Sequence, residues 1–351
     1  MGADCMSFRY IGSKTRLVSE IVDYVGSPSP GERFVDLFCG TGAVAEAASN
    51  VGWDVHVSDH LACAVTMAAG RLMNRNQATF VAMGGYHRVI EHLNSLTGVK
   101  GFVWSEYSPA SLERVGVERR YFTESNAQKI DAIRQCIELL WEARQITQEE
   151  KTLLVADLLS AANKVANIAG TYGCFLSKWQ KQAHSDLRLV ARHLKDGRFT
   201  VTSSCQDASE CRVRTQDVVY IDPPYTKRQY ASYYHLLETI ALGDSPTVAG
   251  VSGLRPWEEK ASDFCYKARA ASAFQNLVQR LPAARILVSY SDAAHVPIGL
   301  LVDLLQDEGK VTAIPIAEIG RYRPNRKAVE GGSAVREYII EVQRIRLQVA
   351  A

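Results

Sequence analysis

The stretch Asp222-Pro223-Pro224-Tyr225 combines residue types that can bind and activate a planar amine. It follows an apolar run at 218–221, whose composition predicts a buried strand of a parallel sheet. Two successive prolines hold the backbone extended, so a carboxylate, a carbonyl and an aromatic ring face one place. We expect Asp222 and the Pro223 carbonyl to accept the two amine hydrogens, with Tyr225 stacked on the attached ring. The alternative is an ordinary strand end followed by a turn.

A second group of residues that can bind a ligand follows the predicted strand at 34–38. A glycine turn at 40–42 precedes a predicted helix, and Asp59 ends the next predicted strand. This pattern suits the ribose of NAD and that of S-adenosylmethionine (SAM) equally. Asp36 favours SAM, because a carboxylate at the tip of the first strand would repel a pyrophosphate but attract the ammonium of a methionine moiety.

A doubly wound sheet would bring these two groups of residues together. Apolar patterns predict further strands at 55–59, 199–201, 285–289 and 338–342. Between about residues 62 and 199 the strand signal fades, and apolar residues recur at helical spacing. The sequence therefore predicts an α/β fold of the Rossmann-like, doubly wound type, interrupted by a mainly helical insertion.

Composition sets the class of protein and limits its partners. The chain has 351 residues and 47% hydrophobic content, enough for a large core. With 40 Lys plus Arg against 38 Asp plus Glu, any nucleic-acid surface must be local. Eight cysteines are scattered without a CxxC pair, so we expect neither a disulfide framework nor a metal site. We find no leader pattern at the start and no membrane-length apolar run, which predicts a cytoplasmic protein.

Three motifs in order resemble the Dam-like alpha class of adenine-specific DNA methyltransferases. They are Tyr10-Ile11-Gly12-Ser13-Lys14, the strand and turn at 34–42, and the DPPY stretch at 222–225, spread over most of the chain. The resemblance implies a SAM-dependent methyltransferase core at 1–70 and 199–351, with a helical target-recognition insertion at 71–198. It further implies methyl transfer to the 6-amino group of an adenine flipped out of double-stranded DNA.

The resemblance and the physical arguments together assign the candidate site residues. The catalytic residues are Asp222, Pro223, Pro224 and Tyr225. The cofactor-binding residues are Tyr10, Lys14, Asp36, Phe38, Gly40, Thr41, Gly42, Asp59, Asp207 and Asp222. Ser13 stands where the family often has a second glycine, a change that a turn tolerates. Outside this context Lys14 would be a solvated helix-start residue, and Asp59 and Asp207 would be turn formers.

Two basic segments are candidates for contacts with DNA phosphates. The first, at 178–198, has six cations, Lys178 and Lys181 among them, against two acids; its alternative interpretation is a solvated helix face. The second, at 321–327, has no acid, and its Pro and Asn predict a loop. Its cations are Arg321, Arg323, Arg326 and Lys327.

The polymer and the partners stay open at this point. An RNA adenine methyltransferase is the alternative, because a site for an amine does not distinguish DNA from RNA. A methyltransferase-like DNA-binding regulator is another, against which the intact Lys14, Asp59 and Asp222 argue. An NAD oxidoreductase would leave residues 222–225 unexplained. We expect a monomer or a homodimer, and any cognate restriction endonuclease as a separate chain.

Overall fold

A computed structural model describes residues 8–197, 199–319 and 335–344, and in these ranges the protein is a mixed α/β protein with a seven-stranded sheet. The strands are β1 (Arg33–Asp36), β2 (Asp54–Asp59), β3 (Val201–Cys205), β4 (Val218–Ile221), β5 (Arg285–Ser291), β6 (Lys310–Ile319) and β7 (Val335–Gln343). The α-helices are α1 (Val18–Val25), α2 (Ala43–Asn50), α3 (Ala62–Leu72), α4 (Tyr86–Ser95), α5 (Phe102–Tyr107), α6 (Ser111–Val115), α7 (Glu124–Glu142), α8 (Gln148–Val165), α9 (Tyr230–Tyr233), α10 (His235–Leu242), α11 (Ala270–Arg280) and α12 (Ile298–Leu305).

The strand order is β3-β2-β1-β4-β5-β7-β6, which confirms the doubly wound fold class. The five strands from β3 to β5 run parallel, and β7 is antiparallel to both β5 and β6. The chain winds outward from β1 in one direction and from β4 in the other, so the two strands flank a topological switch point. Ligands of open α/β sheets bind beyond the carboxyl ends of such strands.

Burial explains why β4 occupies the middle of the sheet. All four of its residues are buried, as expected for a strand covered on both faces. One face packs against α11 and α12 through a cluster that includes Val219, Phe274, Val288 and Leu301. A continuous apolar run therefore places the end of β4, and the residues after it, at a fixed position in the core.

Strand β6 was absent from the sequence-based prediction. Pro315 interrupts its alternating pattern, and proline removes a backbone donor from a sheet ladder. The structure accommodates it because β6 is the edge strand, with a bulge between Pro315 and Ala317. The predicted strand at 199–201 is also displaced, since β3 begins at Val201.

Residue contacts divide the chain into two units. The sheet unit comprises the described residues of Ser13–His60, Phe199–Gln229 and Ala261–Ala351. The helical unit comprises those of Met1–Gly12, Leu61–Arg198 and Tyr230–Lys260. The division into catalytic and target-recognition residues at 70 and 198 concerns function and stays a prediction.

The helical unit is organised around α7 and α8, where the sequence predicts helical periodicity. Helix α8 begins with a capping box, in which Thr147 and Glu150 each bond the other's backbone amide. Ile133 and Leu158 are fully buried in a cluster that fills this unit. Of the described helices, none is long and apolar enough to cross a membrane.

The segment 166–197 corrects one part of the prediction. Apart from a short 3-10 helix at Lys181–His184, it has no regular helix, so the solvated helix face considered for the basic segment is wrong. Leu187 and Leu189 are buried between exposed neighbours, an alternation that a helix does not show.

Candidate active site

The turn after β1 brings backbone amides to the switch point. Gly40 and Gly42 have φ values of 50° and 74°, a region that disfavours residues with a Cβ atom. The Gly42 amide donates to the Cys39 carbonyl at 2.7 Å, and Gly42 then forms the N-cap of α2. Glycine is therefore needed at both positions for the chain to turn from β1 into α2 within this short distance.

Asp59 is joined to this turn from the end of β2. Its Oδ2 atom accepts a hydrogen bond from the Gly40 amide at 3.1 Å. The Cys39 amide donates to the Ser58 carbonyl at 3.0 Å, so the end of β2 and the turn have a fixed separation. The Asp59 side chain is half-buried, as is that of Thr41, two residues before α2. An anionic acceptor thus lies beside a glycine turn, the arrangement that the predicted ribose contact requires.

Asp36 is a buried carboxylate at the end of β1. It is 2% exposed and accepts a hydrogen bond from the Phe38 amide at 3.3 Å. Burial, followed by the negative charge of Asp222, raises the pKa of Asp36 well above its ordinary value. The Phe38 ring lies edge-to-face on Phe264 at 5.5 Å between centroids. A nearby cation would stabilise the ionised form of Asp36.

Residues 222–225 extend directly from β4 and are held by the sheet unit. The Tyr225 ring lies against Tyr290 at 5.5 Å between centroids, and the His295 amide donates to the Tyr225 carbonyl at 3.1 Å. Among the described residues, no hydrogen-bond donor contacts the Pro223 carbonyl. Its lone pairs are therefore available to a substrate amine, as the sequence argument requires.

Lys14 lies at the DPPY stretch rather than at the glycine turn. Its Nζ atom is 3.3 Å from Asp222 Oδ1, 3.1 Å from the Tyr225 hydroxyl and 3.2 Å from Glu337 Oε2. The residue is 7% exposed. Burial alone would lower the pKa of Lys14, but Asp222, Tyr225, Tyr220 and Glu337 together raise it well above its ordinary value. Lys14 is therefore a fixed ammonium and not a solvated helix-start residue.

The carboxylate of Asp222 titrates closer to neutrality than an ordinary aspartate. Burial raises its pKa to about 6; the Lys14 ammonium opposes that shift and the Glu337 carboxylate adds to it. Its side chain keeps 15% of its surface exposed. At neutral pH Asp222 is mainly ionised, and it is then a hydrogen-bond acceptor only.

Two of the predicted cofactor residues make other contacts. Tyr10 belongs to the helical unit, where its ring stacks on Tyr234 at 4.3 Å between centroids and 14° between planes. Asp207 is exposed, and its Oδ1 atom accepts from the Ser209 amide at 2.9 Å as the N-cap of a 3-10 helix. That geometry is the Asx turn considered as its alternative. The roles of both residues in cofactor binding stay predictions.

The predicted DNA-contacting residues are placed only in part. Lys178 and Lys181 are exposed on the helical unit. The other four, Arg321, Arg323, Arg326 and Lys327, lie outside the described residues.

Glu337 was missing from the residues predicted for this site. It lies on β7, paired with Ser291 on β5, and contacts Lys14 across 323 residues of sequence. The sequence does carry a signal, because Glu337 and Glu341 are four residues apart and so share one face of a strand whose interior residues 338–340 are apolar or aromatic. Buried acids of this kind require a partner of opposite charge, but the sequence does not show which residue of a distant segment that partner is.

Two known methyltransferases are similar to this chain over nearly its whole length. The M.FokI type II methyltransferase of Planomicrobium okeanokoites is 31% identical over 344 residues, covering 96% of this chain and 52% of that protein. The chain thus spans about half the length of M.FokI. The M.CviAII type II methyltransferase of Paramecium bursaria Chlorella virus 1 is 31% identical over 339 residues, covering 95% of this chain and 97% of that protein.

A solved rRNA methyltransferase from Streptomyces viridochromogenes is similar at 13% identity with a TM-score of 0.33, covering 95% of this chain and 86% of that one. Similarity this low carries no argument about function. The family model of the D12 class, MethyltransfD12, matches residues 10–291 and so includes the glycine turn, Lys14 and the DPPY stretch. The resemblance seen in the sequence is confirmed: the chain belongs to the D12 class of N6 adenine-specific DNA methyltransferases.

Proposed function

We propose that this protein transfers a methyl group from SAM to the 6-amino group of adenine in double-stranded DNA. The observation that carries the proposal is the pair of acceptors at the end of β4. Asp222 is ionised near neutral pH, and the adjacent Pro223 carbonyl has no donor among the described residues. Two acceptors this close in sequence match the two hydrogens of one amine.

Charge at the switch point supports SAM as the cofactor. The carboxylates of Asp222 and Glu337 contact the ammonium of Lys14, and Asp36 lies near the carboxylates of Asp222 and Asp59. This excess of negative charge suits a ligand that carries an ammonium and a sulfonium, and it opposes a pyrophosphate. Asp36 would hold the ammonium and Asp59 the ribose hydroxyls. Bound SAM supplies a methyl group on a positively charged sulfur, which leaves as a neutral thioether.

The chain's own residues position the amine and raise its reactivity. The amine lone pair of free adenine is delocalised into the ring, so the nitrogen is a weak nucleophile. Acceptors at Asp222 and Pro223 favour a tetrahedral nitrogen whose lone pair is available. Tyr225 is held by Tyr290 and by the His295 amide, so its ring offers a fixed surface for stacking. Positioning accounts for most of the rate enhancement.

Duplex DNA is the substrate that family membership favours. An adenine inside a duplex must be flipped out, at a cost of a few kcal/mol, and stacking on Tyr225 recovers part of it. RNA is the second candidate, since an amine-binding site does not distinguish the polymers. The relatives are type II methyltransferases, so we infer that the protein protects DNA from a restriction endonuclease carried by a separate chain.

Transfer of labelled methyl from SAM tests the proposal. Mixed-sequence duplex DNA and structured RNA are incubated in parallel, and the product nucleosides are separated. We expect label in DNA as N6-methyladenine. Label confined to RNA would replace the proposed substrate, and label in another base would refute the assignment of the amine.

A matched pair of variants tests the acceptor. Asp222→Ala removes the carboxylate, and we expect methyl transfer to fall at least about 1,000-fold, since both positioning and charge are lost. Asp263→Ala removes an exposed aspartate from a surface ion pair with Arg269 and should leave the rate unchanged. Turnover by Asp222→Ala at the wild-type rate would refute the catalytic assignment.

A further inference from the structure

Glu337 is a nearly buried acid whose described cationic partner is Lys14. It is 9% exposed, and its Oε2 atom lies 3.2 Å from Lys14 Nζ. The residue belongs to β7, a strand that begins after the region matched by the family model. Its contact with the DPPY cluster therefore arises from the sheet register and not from any motif.

Lys14 is held from three directions. A lysine ammonium has three donor hydrogens, and three acceptors surround this one at 3.1 to 3.3 Å. Asp222 and Tyr225 supply two of them from one short stretch of chain. Glu337 supplies the third from a different strand, so the ammonium is shared between two carboxylates.

Sharing Lys14 between two carboxylates affects what Asp222 can bind. An ammonium paired with Asp222 alone would move onto that carboxylate and compete with the substrate amine for its lone pairs. We propose that Glu337 is a positioning residue for methyl transfer, which shares the Lys14 ammonium with Asp222 and so leaves lone pairs of that carboxylate available to the adenine amine. The proposal deepens the function given above and rests on it.

The effect of the Glu337 charge on Asp222 can be measured separately from that of the other charged groups nearby. The groups that act on Asp222 are Lys14 and Glu337, and the neighbouring titratable groups are Asp36, Tyr220 and Tyr225. Glu337→Gln changes one charge and preserves the size of the side chain and an oxygen that accepts from Lys14. Since the Glu337 carboxylate raises the pKa of Asp222, its loss should lower that pKa.

Two substitutions of Glu337 test the proposal through the pH dependence of kcat/KM. In Glu337→Gln the acid limb should move to lower pH by about 0.5 to 1 unit, with kcat reduced less than about tenfold. In Glu337→Leu the acceptor is also lost, and kcat should fall about 100-fold, because a displacement of about 1 Å at a catalytic group costs that much. If the glutamine variant recovers most of this loss, the acceptor oxygen of residue 337 positions Lys14 and its charge contributes less.

Glu341→Gln is the matched control on the same face of β7. Glu341 is also nearly buried, but it pairs with Arg285 at 2.7 Å rather than with Lys14. The control should lower stability without moving the acid limb. Equal losses of rate in Glu337→Gln and Glu341→Gln, with no change in the pH profile of either, would assign Glu337 a structural role and overturn the proposal.

Urea unfolding between about pH 5 and pH 8 provides a readout independent of turnover. Because the raised pKa of Asp222 reduces stability as pH increases through about 6, that decline should be smaller in Glu337→Gln than in wild type. An identical decline would overturn the proposal even if Glu337→Leu did not fold. If wild type transfers no methyl group, the proposed function fails, whereas this measurement still decides whether Glu337 acts on Asp222.

Discussion

Replacing Asp222 by asparagine should abolish catalysis and at the same time stabilise the protein. The asparagine side chain would keep the shape of a protonated aspartate and remove the negative charge that burial disfavours. Lys14 would retain Glu337 and Tyr225 as acceptors. The Asp222 carboxylate is thus held ionised at the expense of folding stability, a trade-off that catalytic groups commonly show.

The magnitude is set by the pKa of Asp222. A rise from 3.8 to about 6 means that the ionised form is less favourable in the folded protein by about 3 kcal/mol. The folded state binds more protons than the unfolded state between these two values, so stability falls as pH rises through them. Relative to wild type, Asp222→Asn should gain about 3 kcal/mol at pH 8 and about half of that at pH 5.

Urea unfolding of wild type and variant over this pH range measures the difference, and Asp217→Asn serves as a control of opposite sign. Asp217 is also in the sheet unit, and although burial opposes it, pairing with Arg33 and Arg214 lowers the pKa of its carboxyl. Its loss should destabilise the protein by about 3 kcal/mol throughout this pH range, and by less only as pH falls below about 4.

Three results would bear against this reasoning. If Asp222→Asn were less stable than wild type at pH 8, the attraction of Lys14 would outweigh the cost of burial. If the difference were the same at pH 5 and pH 8, the Asp222 carboxyl would have an ordinary pKa. If methyl transfer persisted at the wild-type rate, the charge of Asp222 would not be needed for the reaction.

Three further predictions concern SAM binding, stacking of the flipped base and DNA binding. Asp59→Asn should weaken SAM binding at least about tenfold in calorimetry, since a charged acceptor is lost. Asp207→Asn should change SAM binding less than about twofold if that residue only forms a turn. Equal effects of the two substitutions would contradict the placement of the ribose. Tyr225→Phe keeps the ring and should retain kcat within about tenfold. Tyr225→Ala should lower kcat about 100-fold and reduce the fluorescence change of a flipped 2-aminopurine. Similar kinetics for the two variants would exclude stacking. Neutralising the cations at 321–327 should reduce the slope of the logarithm of the DNA-binding constant against the logarithm of the salt concentration by about 3 to 4. Neutralising Lys178 with Lys181 should reduce that slope by about 2. An unchanged slope would show that the segment does not contact DNA phosphates.

Much of the stretch at 222–225 was predictable because its conformation is local. The apolar run at 218–221 specifies a buried strand, and the two prolines specify an extended segment after it, independent of the rest of the chain. Gly40 and Gly42 likewise predict a turn, because their positive φ values are disfavoured for residues with a Cβ atom. The sequence also contained enough ordered motifs for the family to be identified before the fold was known.

Other features depended on partners that no local pattern specifies. Strand β6 exists because the edge of the sheet tolerates Pro315. Segment 166–197 has a burial pattern that resembles neither helix nor strand over most of its length. The placement of Tyr10 beside Tyr234, rather than within the sheet unit, arises from the contacts of the helical unit.

The sequence by itself determined which residues end the strands and which chemistry they permit, because steric restriction and apolar periodicity act over a few residues. Only the tertiary structure decided that Lys14 joins Asp222 and that Glu337 completes the group. Those contacts depend on the order and register of β4, β5 and β7. A buried charge must find a partner of opposite sign, but the sheet topology determines which one lies within reach.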